Sequence, residues 1–225
     1  MKQLAVLRPE PGARATVERA RAMGLDAFAM PLFKVEAVAW DVPDPNEFDA
    51  LLLTSANAVR HGGAGLRRVL HLPVHAVGEA TADAAREAGF TIASVGHGGV
   101  AQLLGSVPSD ARLLHLCGEH RVDISAPQAI RAVPVYRSLA LPPPGDLRKL
   151  EGQVVAVHSP RAGRRLAELV DQARIERATI RLAAISEAAA AAAGGGWAMR
   201  DAAATPDDLA LLALAARLCD RGVTT

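Results

Sequence analysis

Four turns place serine, threonine or glycine directly after short apolar runs, and each could present backbone N–H groups to a negatively charged ligand. Thr54-Ser55-Ala56-Asn57 follows Leu51-Leu52-Leu53, and Ser159-Pro160-Arg161 follows Val155-Ala156-Val157-His158. A serine at the carboxyl end of a strand caps the helix behind it, and the N–H groups of that first turn attract anions. Pro160 suits the first helical position, where an N–H would have no intrahelical partner. Either serine alone reads as a simple cap, whereas two in register point toward a ligand. Val77-Gly78-Glu79-Ala80-Thr81-Ala82 and Leu116-Cys117-Gly118-Glu119-His120-Arg121 repeat the arrangement with glycine, which lets a ligand approach the backbone closely. Thr81 adds a hydroxyl to the first of these. A tight strand-to-helix connection without a ligand is the alternative reading of that turn.

Two further side chains stand out by type. Tyr136, in Val135-Tyr136-Arg137, is the only tyrosine, and its phenol either points into a cleft or fills a hinge. Arg8, ahead of Pro9, sets a guanidinium at the level of the serine turns, either as a carboxylate clamp or as a solvated surface charge. Cys117 reads as a small buried hydrophobe, since no base at a recognisable spacing accompanies it. His115, His120 and His158 match neither HExxH nor another metal-ligand spacing, so no metal is expected. The sequence has no GxGxxG, GxxxxGK(S/T) or GxSxG motif, which leaves covalent catalysis and the common cofactors without support.

Composition narrows the partners. The 225 residues are half hydrophobic and 22% charged, enough apolar surface to fold one large or two small α/β domains. A net charge of +1 supplies no basic field for nucleic acid, and 3% aromatic content leaves little for base stacking or a flavin cage. Cys117 and Cys219 lie far apart, the start MKQLAVLRPE lacks the apolar run of a signal peptide, and no stretch offers the roughly 20 apolar residues of a membrane span. These features predict a cytoplasmic protein with reduced thiols and no membrane association.

The elements that must position the turns follow from periodicity. Short apolar runs predict strands at Leu4 to Leu7, Ala50 to Leu53, Val74 to Val77, Leu113 to Leu116, Val154 to Val157 and Leu182 to Ile185. Helical patterns between them include Ala13 to Met23, Thr81 to Ala88 and Arg161 to Ala173, the first two ending at Gly24 and Gly89. This alternation predicts a parallel α/β fold. Phe33 to Val38 and Val133 to Leu139 are isolated β-like stretches followed by proline-bearing loops, as expected of crossovers between domains. One domain is then discontinuous, residues 1–34 plus 141–225, a second spans 38–133, and 34–38 with 133–140 join them. A repeat supports that layout: Ser159 falls on Ser55 at an offset of 104 residues and Ser186 on Gly78 at an offset of 108. The expected working site lies where the two sets of turns face each other.

Taken together, Arg8-Pro9, the Thr54, Gly78, Cys117 and Ser159 turns, and Val135-Tyr136-Arg137 resemble, in order over nearly the whole chain, the uroporphyrinogen-III synthase family. The resemblance implies two flavodoxin-like domains joined by a two-stranded β connection. The implied activity is a hydro-lyase of haem biosynthesis that cyclises hydroxymethylbilane to uroporphyrinogen III, inverting ring D with loss of water and using no cofactor. It implies Tyr136 as the group that hydrogen-bonds or protonates the leaving hydroxyl. Arg8, Thr54, Ser55, Asn57, Gly78, Thr81, Gly118, Glu119, Arg121, Ser159, Pro160, Arg161 and Ser186 are the implied substrate contacts. A monomer is expected, with substrate transfer from the preceding pathway enzyme. Two departures from the family stand out: Ser186-Glu187-Ala188-Ala189 replaces a Gly-x-x-Thr turn, and Thr205-Pro206 replaces Pro-Thr before the last helix. The alternatives are a non-catalytic homologue that binds a tetrapyrrole or other polycarboxylate, and an FMN-binding protein, for which the hydroxyl-rich phosphate loop and aromatic pair are lacking.

Overall fold

A computed structural model describes residues 2–96, 98–121 and 123–220. Along the chain, β1 (Leu4–Val6), α1 (Gly12–Ala22) and β2 (Ala27–Ala29) precede β3 (Phe33–Ala37). Then come β4 (Ala50–Leu53), α2 (Ala56–His61), β5 (Val74–Val77), α3 (Glu79–Glu87), β6 (Ile92–Gly96), α4 (Val100–Leu104), β7 (Arg112–Gly118) and β8 (Ala129–Ala140). The chain ends with β9 (Val154–Val157), α5 (Pro160–Gln172), β10 (Arg181–Ala184), α6 (Glu187–Ala192), β11 (Met199–Ala202) and α7 (Asp208–Asp220). Contacts divide it into unit 1, Met1–Lys34 with Ala140–Thr225, and unit 2, Val35–Leu139.

Unit 1 holds a sheet in the order β11-β10-β9-β1-β2, with every neighbouring pair parallel. Its central strands are apolar on both faces because helices cover both. Ala5, Val155, Val157, Leu182 and Ala184 point to α5 and α6, whereas Leu4, Val6, Val154, Ala156 and Ala183 point to α1 and α7. This is the period-two alternation of a strand written twice over in hydrophobic residues.

Unit 2 has the order β3-β8-β7-β4-β5-β6, parallel from β8 to β6. Leu51, Leu53, Val74, Ala76, Leu114 and Leu116 pack on α2 and α3, while Ala50, Leu52 and Leu113 pack against Leu103 and Leu104 of α4. Reading β4, β5 and β6 as counterparts of β9, β10 and β11, with β7 and β8 for β1 and β2, gives the two units one strand order. The offsets of 104 and 108 residues each carry one helix cap onto another: Ser55 and Ser159 cap α2 and α5, Gly78 and Ser186 cap α3 and α6.

Several expectations need adjustment. The helix read from Thr81 starts two residues earlier, at Glu79, because Gly78 is its cap. The segment read as an isolated stretch at 133–139 belongs to a longer strand whose residues Ala129 to Tyr136 pair with β7, so β8 is a member of the unit 2 sheet. The strands β6 and β11 lack a clear apolar run and β2, though apolar, is only three residues long; all three lie at sheet edges, where fewer positions are buried.

Candidate active site

The carboxyl ends of β4, β5, β7 and β8 in unit 2 enclose a cleft of about 310 Å³. Ligands of open parallel sheets sit outside these strand ends, where helix N-termini and backbone N–H groups gather. Thr54, Ser55, Gly118, Arg121 and Tyr136 line it together with Val77, Val100, His115, Cys117, His120 and Ile124. A second hollow of about 360 Å³ shares His115, Arg121 and Ile124 with the first.

Tyr136 reaches the cleft through a register shift. Cys117 pairs with Pro134 but Gly118 pairs with Tyr136, so β8 bulges by one residue as β7 ends. The N–H of Glu119 then donates to the carbonyl of Tyr136 at 2.9 Å. The phenol ring lies directly over Gly118, where a Cβ would come within 2.8 Å of Cε2 and 3.1 Å of the hydroxyl oxygen. On another side, the imidazole of His61 tilts against the ring at a centroid distance of 6.3 Å. Burial pushes the phenol above its ordinary pKa and the nearby Ser55 hydroxyl opposes the rise, leaving Tyr136 protonated at neutral pH.

Around this phenol the polar groups form a connected floor. Ser55 accepts from the N–H of Asn57 at 3.2 Å as it caps α2, and the adjacent Thr54 Oγ1 shares a hydrogen bond with His115 Nε2 at 3.1 Å. Burial, reinforced by the charge of Arg121, lowers His115 to about 4, so its imidazole is neutral under physiological conditions. Burial raises the Cys117 thiol, and Arg121 offsets part of that. Arg121 is the exposed cation of the cleft wall and can meet a substrate carboxylate. Among the described residues no cluster of three or more His, Cys, Asp or Glu side chains is arranged to hold a metal.

Other expected site residues lie elsewhere. Asn57 supports Ser55 through its backbone, Glu119 is exposed at the turn beyond β7, and neither lines the cleft. Gly78 bonds to the carbonyl of Gly96, and Thr81 is buried against the core of unit 2, so Val77 faces the cleft in their place. In unit 1, Ser159 accepts from the N–H of Ala162 at 3.1 Å, Pro160 begins α5, and Ser186 accepts from Ala189 at 3.3 Å. Arg161 stacks over the ring of Phe33 at 4.7 Å, a cation–π contact. Arg8 pairs with Asp208. The sequence alone does not assign His115 or Cys117 to the site; the polar His inside Leu113-Leu114-His115-Leu116 is the available signal.

Residues 14–213 match the HEM4 family model, described as uroporphyrinogen-III synthase HemD. The chain belongs to the uroporphyrinogen-III synthase family. Members of this family are enzymes of tetrapyrrole synthesis, on the route to haem. No curated protein matches the chain by sequence. Among solved structures, uroporphyrinogen-III synthetase from Helicobacter pylori 26695 is 17% identical, with 97% of this chain and 100% of that one covered at a TM-score of 0.64. A mutant uroporphyrinogen III synthase from the extremely thermophilic bacterium Thermus thermophilus is 18% identical, with 99% and 100% covered at a TM-score of 0.56. Both likenesses concern the fold, a mixed α/β architecture with parallel sheets. No helix among the described residues is long and apolar enough to cross a membrane.

Proposed function

We propose that this member of the uroporphyrinogen-III synthase family is a hydro-lyase that closes hydroxymethylbilane to uroporphyrinogen III, inverting ring D and releasing water, on two flavodoxin-like domains. The observation that carries the reading is the gathering of Tyr136, Ser55, Thr54, Gly118 and Arg121 around one cleft at the strand ends of unit 2. Hydroxide is a poor leaving group, and a phenol kept protonated by burial can supply the proton that lets it depart as water. As the C–O bond breaks, the pyrrole nitrogen's electrons form an azafulvenium cation, and Tyr136 becomes the phenolate that balances its charge. The neighbouring Ser55 hydroxyl favours that phenolate. Attack by the substituted end of the terminal pyrrole gives a spiro intermediate, which fragments and recloses with the ring reversed. The final loss of a proton from the reacting pyrrole carbon restores the phenol. The cleft's larger task is to hold one conformation of a flexible tetrapyrrole and exclude the uncatalysed closure.

Under this reading Arg121, with the N–H groups of the Ser55 and Gly118 turns, holds acetate and propionate carboxylates. The protein acts as a cytoplasmic monomer that receives its substrate from the preceding pathway enzyme. A non-catalytic polycarboxylate binder is the second reading, favoured by Ser186 where the family keeps glycine. Incubation with enzymatically generated hydroxymethylbilane separates the two. Type III isomer is the expected product, and type I alone would leave only the binder.

A further inference from the structure

In unit 1 the strand ends of β1 and β9 converge on one side chain. Asp208, the first residue of α7, accepts from Thr16 Oγ1 at 2.9 and 3.1 Å to its two oxygens, from Arg19 Nε at 2.8 Å and from His158 Nε2 at 3.0 Å. It also pairs with Arg19 Nη2 at 2.7 Å and Arg8 Nη1 at 3.5 Å. Arg8 is fixed in turn: Nη1 donates to Thr16 Oγ1 at 3.3 Å, and the guanidinium lies over Gly12, where a Cβ would come within 2.6 Å of Nε. Thr16 is fully buried and the His158 side chain is 7% exposed.

Charge and protons are consistent around the group. Burial opposes the Asp208 charge, but the bonds from His158 and Thr16 and the charge of Arg19 outweigh it and hold the carboxyl at about 2. Burial lowers His158, so the ring is neutral and must give its Nε2 hydrogen to the carboxylate. Its Nδ1 is buried and makes no hydrogen bond among the described residues. Two guanidiniums, a hydroxyl and an imidazole around one carboxylate are far more than a helix terminus requires. They are the groups that would bind a carboxylate from outside.

We propose that these groups form an oxyanion site in unit 1 whose occupant is the chain's own Asp208, a carboxymethyl group with the shape of acetate. Leu211, Leu212, Leu214 and Leu218 anchor α7 in the core and keep that occupant in place. Arg8, read from sequence as a substrate clamp, is thereby engaged within its own unit. Truncating Asp208 leaves a cavity matched to a small monocarboxylate: formate where alanine keeps the Cβ, acetate where glycine removes it. The site does not depend on the reaction assigned to unit 2.

The test is thermal unfolding of full-length Asp208→Ala, Asp208→Gly and Asp208→Asn in formate or acetate against chloride at equal ionic strength. Leaving the surrounding cations unpaired should lower Tm on the order of 10 °C. Formate should raise Asp208→Ala and acetate Asp208→Gly along a saturating curve, with at least half the loss recovered at on the order of tens of millimolar. Asp208→Asn, which fills the space without charge, and the unaltered protein should respond no more than to chloride. Equal response of the truncated variants to carboxylate and chloride overturns the proposal. If a truncation does not fold, refolding yield reads the same contrast: several-fold more folded protein in carboxylate supports it, and equal yields overturn it.

Discussion

The ring of Tyr136 occupies the space that a side chain on Gly118 would need, with Cε2 only 2.8 Å from the position of a Cβ. The two residues are paired across β7 and β8 by the register shift, so neither backbone can yield without breaking the ladder. Gly118→Ala should therefore push the phenol off Ser55 and cost about 1–3 kcal/mol of stability, the usual range for overpacking. Urea unfolding measures the loss. Type III isomer formation should fall by more than the unfolded fraction explains.

Tyr136→Phe removes only the hydroxyl and leaves the ring over Gly118. Its kcat should drop by about 10²–10⁴, the range for a lost general acid, while Tm stays within a few degrees. Wild-type turnover in a folded Tyr136→Phe protein would move the acid to another group of the cleft.

Arg121 is the cation that separates carboxylate binding from proton transfer. Arg121→Ala should raise KM for the bilane by roughly tenfold or more, as expected for losing a charged hydrogen bond, and should change kcat less. Steady-state kinetics at two salt concentrations checks this: the wild-type KM should climb with salt and the variant's should respond less.

Acid should weaken the fold through His115. The unfolded imidazole titrates near 6.5 and the folded one at about 4, so the native state binds fewer protons between those values. Its contribution is complete above pH 6.5 and is lost as pH falls toward 4, amounting to roughly 3 kcal/mol at the lower limit. His61, His75 and His158 are depressed by burial as well and act in the same sense. Melting His115→Gln from pH 8 to pH 4 should show a lower plateau and a shallower acid slope. An unchanged slope would assign the sensitivity to the other three.

Much of the unit 2 site is legible in the sequence because its chemistry lies in short contiguous turns. Thr54-Ser55 and Cys117-Gly118 each end a run of leucines, and local sequence alone places them at strand ends. Tyr136 is visible as the only tyrosine, but the bulge that turns it over Gly118 depends on how two distant strands pair. Glycine turns mislead in the other direction: Gly78 and Thr81 have the right types, yet one caps a helix and the other faces the core. The cluster around Asp208 is illegible for a simpler reason. Thr16 and Arg19 share a face of α1, but His158 and Asp208 are remote from them in sequence, and only the sheet order brings the four together. The edge strands β6 and β11 escape because an edge needs little hydrophobicity to pair, and β2 because three residues are too short a run to stand out.

The pairing of Leu4 with Val154 has a consequence for the nascent chain. Strands β1 and β2 are three residues each and adjoin only one another until β9 arrives, and a two-stranded pair that short has little stability in water. Every strand of unit 2, by contrast, precedes β9 in the chain. Synthesis therefore completes the inserted unit first: residues 35–139 are available to fold while β1 and β2 wait for β9.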